Sequence, residues 1–123
     1  MTYLEMRNED RDHLLGERVR LADRWWPRLR GLIGHAELES GEGLMIRPCQ
    51  GIHMQWMKYP LDVAFLDPDG RIVAIYHALK PWRFSKTHRE ATAALELPTG
   101  TLEATGTRVG DLVSWREIES AAA

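Results

Sequence analysis

Apolar positions recur with two different periods along the chain, and the change of period falls near Gly43. Before it, in ADRWWPRLRGLIGH, the residues Trp25, Leu29, Leu32 and Ile33 follow helical spacing. Asp23 is placed to cap that segment, Pro27 falls in or near its first turn, and Gly34 can end it in a left-handed conformation. Arg24 and Arg28 then share the outer face. The spacing predicts one short helix over residues 23–33. The charge-rich residues 1–20 predict a loose start followed by an edge strand.

After Gly43 the pattern is that of strands. LDVAFL and RIVAIYHAL are apolar runs rich in β-branched and aromatic residues, joined by Asp67-Pro68-Asp69-Gly70. Proline second and glycine fourth favour a type I turn, so residues 61–66 and 71–79 are expected to form a hairpin at the centre of the domain. ATAALELP reads as a further strand, TGTLEATGTRVGD as a turn-rich connector and LVSWREI as a closing strand. Residues 51–59, if extended, point Ile52, Met54 and Trp56 to one face and His53, Gln55 and Met57 to the other. The expected fold is mainly β: a single compact antiparallel sandwich or barrel-like domain over residues 1–123, with one short N-terminal helix.

Composition narrows the classes. A chain of 123 residues, 44% hydrophobic, suits one domain with a core of its own. A single cysteine excludes an intrachain disulfide. The net charge of −2 argues against a dedicated nucleic-acid partner, and no run approaches the ~18 apolar residues of a membrane span. The charged start lacks a basic-then-apolar leader, so a soluble, cytoplasmic protein is expected.

Candidate chemistry lies in four places. CQGIHMQWMKYPLD sets Cys49, His53 and Met57 four residues apart, and all three are soft metal ligands. Four residues of strand cover about 13 Å, and a helix would leave Cys49 and Met57 about 12 Å apart, so no metal and no cofactor is expected there. The same spacing argues against Cys49 as a nucleophile with His53 as its base. Asp62 in PLDVAFL and Glu96 in ALELP interrupt apolar strands, where a carboxylate is costly unless paired or hydrogen-bonded. Each is therefore either satisfied internally, by backbone N–H groups or by an arginine such as Arg30 or Arg83, or lines a concave site together with His53. RVRLADRWWPRLRGLIGH combines five arginines with Trp25 and Trp26, a pattern that could stack bases and meet phosphates; the overall acidity favours a solvated helix face instead. KPWRFSKTHRE is a second basic loop, in which Trp82 and Arg83 could rim a pocket.

GLIGH, EGLMI, CQGIHMQWMKYPLDVAFLDPDGRIV, KPWR, LELPTG and GD, in this order, resemble the domain-of-unknown-function 192 family over residues 28–113. The resemblance implies a compact, sandwich-like all-β domain with a small N-terminal helix, and no established reaction, substrate or cofactor. Carried over position by position, the family's polar set falls on His53, Met57, Asp62, Arg83 and Glu96. Ile33, His35 and Met54 stand where the family usually has Met, Arg and Thr.

The leading expectation is a binding module for a polar small molecule, or a peptide or sugar end, in a pocket of His53, Met57, Asp62, Arg83 and Glu96. Arg83 would hold an anionic group and the carboxylates would accept hydrogen bonds. Two alternatives stand beside it: a hydrolase- or lyase-type enzyme using Asp62 and Glu96 as acid and base, and a structural or interaction domain without a pocket.

Overall fold

The computed structural model describes residues 2–23, 37–55 and 57–120. Among them are seven strands, β1 (Thr2–Asn8), β2 (His13–Ala22), β3 (Glu42–Ile46), β4 (Leu61–Leu66), β5 (Ile72–Leu79), β6 (Ala93–Pro98) and β7 (Val113–Ser120). One short helix, α1 (Thr101–Ala104), follows β6. The strands form a single sheet in the order β5-β4-β6-β3-β2-β1-β7. The helix expected over residues 23–33 lies outside the described residues except at Asp23. No helix among the described residues is long and apolar enough to cross a membrane.

Period-two alternation builds two cores on the two faces. In β6, Ala93, Leu95 and Leu97 point to a core shared with Met45, Ala64 and Leu66, while Ala94 joins Leu44, Val63 and Phe65 in the other. All six residues of β4 are buried because it is an inner strand covered on both sides, which is why LDVAFL is nearly continuously apolar.

Three expectations are corrected. The sheet is mixed rather than wholly antiparallel: β2 and β3 run parallel, with Arg20 opposite Leu44, and the sheet is not closed into a barrel. The hairpin β4–β5 forms one end of the sheet and not its centre. Residues 2–22, in turn, are an antiparallel pair of interior strands rather than a loose start and an edge strand. Their charges sit on alternate positions, and Leu4, Met6 and Asn8 between them are buried.

The Asp67–Gly70 turn forms as expected. Gly70 N–H donates to the Asp67 carbonyl at 3.0 Å, and Asp67 Oδ1 accepts from the N–H of Asp69 and of Arg71. Gly70 has φ +91°, and a Cβ there would lie 2.4 Å from the Val113 carbonyl oxygen, so no other residue fits without movement. That approach brings the turn to the start of β7. Val113 N–H donates to the Gly70 carbonyl at 2.9 Å, and Arg71 bridges Leu112, so the two outer strands of the sheet meet at one end. Beside this junction Asn8, fully buried, donates to Thr107 Oγ1 at 3.1 Å and to Asp111 Oδ2 at 3.0 Å. Burial alone would raise the Asp111 carboxyl, but hydrogen bonds from Arg11, Asn8 and the Arg108 N–H hold it below the usual range.

Candidate functional site

Asp62 interrupts the apolar run of β4 between Leu61 and Val63. It is 1% exposed, and among the described residues its carboxylate is met by backbone donors only. Oδ1 accepts from Ala78 N–H at 2.9 Å; Oδ2 accepts from Gly100 N–H at 3.0 Å and Leu102 N–H at 3.1 Å. Opposite it the β4–β5 register shifts, and Ala78 takes φ +50°. The carboxylate thus holds the irregular end of β5 and the first turn of α1 at once, in the manner of a long-range helix cap.

Glu96 lies on the other face. Asp62 pairs with Leu97 and Val63 with Glu96, so alternation turns the two carboxylates to opposite sides of the sheet. An acid–base pair made of these two needs a shared side, and the strands deny it. Glu96 stands in a row that crosses five strands, Arg20–Leu44–Glu96–Val63–Tyr76. It is 6% exposed. Burial pushes its carboxyl up to about 7, against the opposing pull of the Arg20 guanidinium.

On this same face a cavity of about 160 Å³ opens where β4 begins and β6 ends. Tyr59, Pro60, Leu61, Pro98 and Thr99 line it, with Glu37 and Leu38 from the segment before β3. Leu61 is the pairing partner of Pro98, two residues beyond Glu96 on the same face; Glu96 itself is not among the lining residues. Burial raises the Tyr59 phenol, and the nearby charges of Glu96, Glu37 and Glu42 add to the effect. Reasoning from the sequence misses both Tyr59 and Glu37. The one local signal is the Tyr59-Pro60 step, where proline holds the chain extended just before β4.

The described residues of 51–59 do not form a strand, which corrects the expected alternation. Met57 N–H donates to the Met54 carbonyl at 3.2 Å, a turn that buries Met54 and Met57 together in the core of the Glu96 face. His53 instead is exposed and forms an isolated antiparallel bridge with Phe84. Arg83 is exposed beside it, and its carbonyl accepts from Met54 N–H at 2.8 Å. Cys49 is half-buried, its thiol donating to the Gly51 carbonyl at 3.2 Å. The five candidate residues therefore separate into an exposed pair (His53, Arg83), a core residue (Met57), a backbone anchor (Asp62) and a carboxyl beside a cavity (Glu96).

The family model and the curated relatives point to one family. The model of the domain-of-unknown-function 192 family, described as an uncharacterized ACR, matches residues 6–115. A UPF0127 protein of Pyrococcus furiosus is 33% identical over 103 residues, covering 81% of this chain and 88% of the relative. A UPF0127 protein of Thermococcus sibiricus is 32% identical over 107 residues, covering 83% of this chain and 68% of the relative. Among solved structures, a protein of unknown function from Novosphingobium aromaticivorans superposes with a TM-score of 0.78 at 24% identity, covering 92% of this chain and 84% of that one. A Sinorhizobium meliloti protein described as a candidate transcription regulator gives a TM-score of 0.78 at 25% identity, covering 93% and 92%.

Proposed function

The chain belongs to the uncharacterized domain-of-unknown-function 192 family, and we propose that it is a binding module that takes the end of a small polar molecule into the cavity beside Glu96. The observation that carries this reading is a cavity lined by Tyr59 and Glu37 at the end of β6, two residues along the strand from the buried Glu96, whose carboxyl is pushed up to about 7. Such a group exchanges between donor and acceptor near neutral pH, and the phenol of Tyr59 and the carboxylate of Glu37 lie along the same opening. At about 160 Å³ the space is smaller than the roughly 300–1,000 Å³ of sites that enclose a whole ligand, so only one end of a molecule enters. The acidic surroundings disfavour an anionic end and favour one rich in hydroxyls. A sugar terminus fits that description.

Saturation-transfer NMR with a panel of mono- and disaccharides tests the proposal, run on the unmodified protein, on Glu96→Gln and on Tyr59→Phe. Binding by at least one sugar, weakened in Tyr59→Phe and made less pH-dependent between pH ~6 and ~8 in Glu96→Gln, is the expected result. A panel without a binder, or binding that both substitutions leave unchanged, overturns it.

A further inference from the structure

Two loops that do not line the cavity are joined by hydrogen bonds into one surface. Trp82 N–H donates to the Met54 carbonyl, Met54 N–H to that of Arg83, Ser85 N–H to that of Ile52 and His88 N–H to that of Gln50, each at 2.8 Å. Side chains add two more ties, Ser85 Oγ accepting from Ile52 N–H at 2.8 Å and Gln50 Nε2 donating to the Arg89 carbonyl at 3.0 Å. Tyr76 anchors the pair from β5: its hydroxyl accepts from Lys86 N–H at 3.0 Å and lies 2.8 Å from His88 Nε2. A surface ordered in this way loses little entropy when something docks on it.

The surface is both aromatic and basic. Phe84 is 67% exposed and Trp82 53%. An isolated antiparallel bridge pairs His53 with Phe84, and both residues are exposed. Residues 47–58 and 80–90 carry Arg47, Lys58, Lys80, Arg83, Lys86 and Arg89 against one acid, Glu90, although the whole chain has a net charge of −2. The overall charge, which argued against nucleic acid, conceals this segregation.

We infer that the described residues of the paired loops 47–58 and 80–90 are a docking surface for single-stranded nucleic acid, with a base stacking on Phe84 and phosphates meeting the cations that these loops carry. Aromatic faces accept any base, and the cations follow the backbone, which is the chemistry of sequence-tolerant single-strand binding. The alternative of an anionic membrane surface fits less well. Gln50, Gln55 and Thr87 of the same loops are exposed, and immersing their polar groups in lipid is costly, whereas base edges can hydrogen-bond to them. This surface is separate from the cavity beside Glu96 and does not depend on it.

Fluorescence anisotropy with labelled oligo-dT and oligo-rU of about 15 nucleotides tests the inference and separates DNA from RNA. Affinity is expected to fall steeply between about 50 and 200 mM salt. Phe84→Leu is expected to weaken binding roughly 5- to 150-fold, the value of one stacked base, with no change in melting temperature. Lys86→Gln with Arg89→Gln is expected to lower the slope of log affinity against log salt by roughly 0.7 for each phosphate left without its cation. Four results would overturn it: no binding at low salt, tighter binding of a duplex of equal length, indifference to Phe84→Leu, or capture only by phosphatidylserine vesicles or polyglutamate.

Discussion

The two faces of the sheet hold carboxyl groups of the same kind in the same kind of strand, and they treat them in opposite ways. Asp62 faces a region where the neighbouring strand loses register and a helix begins, so unused backbone N–H groups are at hand and three of them converge on it. Glu96 faces a region of regular ladder, where backbone donors are already taken by strand partners, and burial keeps its proton near neutrality despite Arg20. A buried acid thus becomes an anchor where regular structure fails and a group with a raised pKa where it does not. Irregularity supplies donors; regularity withholds them.

The largest expected effect breaks the Asp62 side. Asp62→Asn keeps the volume but turns an amide NH2 toward N–H donors that now lack an acceptor. Hydrogen bonds to a charged group contribute about 1.5–3 kcal/mol each, so urea denaturation is expected to show a loss on the order of 3–5 kcal/mol. A loss below about 1 kcal/mol would remove the anchor reading.

Glu96→Gln is expected to act in the opposite direction and only at high pH. The folded-state carboxyl is raised to about 7 from an ordinary 4.5, so the folded chain holds a proton that the unfolded chain releases. Its contribution is fully present below pH 4.5 and is lost as pH rises through about 7. At pH ~8 the unmodified protein bears a penalty of up to about 3 kcal/mol that glutamine avoids. The variant should therefore unfold at a higher temperature than the parent at pH ~8 and at nearly the same temperature at pH ~4. Equal melting curves at both would show that the carboxyl is not destabilised by burial.

A smaller effect comes from the third buried acid, Asp111, which has side-chain rather than backbone partners for most of its bonds. Asn8→Ala removes one of them and is expected to cost about 1–2 kcal/mol by denaturant titration. Because the Asp111 carboxyl is held low, that network is fully present above pH 3.8 and weakens as pH falls through the depressed value. The difference between the unmodified protein and the variant should shrink in strong acid to the part due to the Asn8 bonds with Thr107 and the Arg11 N–H. The smallest effect tests the opposite-face geometry itself. Asp62→Asn and Glu96→Gln share no partners, so at pH ~8 the double variant should equal the sum of the singles within about 0.5 kcal/mol.

How far the sequence reveals this arrangement depends on whether the cause is local. The β4–β5 hairpin is legible because Pro68 and Gly70 determine the turn within four residues, and β6 and β7 because their apolar runs are short and bounded. The first hairpin is harder to read. Tyr3, Glu5 and Arg7 alternate with Leu4, Met6 and Asn8, but so many charges suggest a loose segment, and Asn8 resembles part of it. The role of Asp62 is out of reach altogether: its donors lie at Ala78, Gly100 and Leu102, and nothing near position 62 announces them. Glu96 is recognisable as an oddity in ALELP, whereas Tyr59 becomes relevant only once β4 and β6 are paired.

The junction between the Asp67–Gly70 turn and the start of β7 bears on self-association. An open sheet offers its outermost strands as templates for another chain, and long, flat, apolar outer strands polymerise. Here the first residue of each outer strand binds the residues just ahead of the other, Val113 to Gly70 and Ile72 to Asp111, so an incoming strand finds that stretch of backbone occupied. Farther along, the irregular backbone at Ala78 bends β5, and Arg116 and Glu117 place charges on β7. A sheet that stops short of closing thus gains much of the resistance to fibril growth that closure confers.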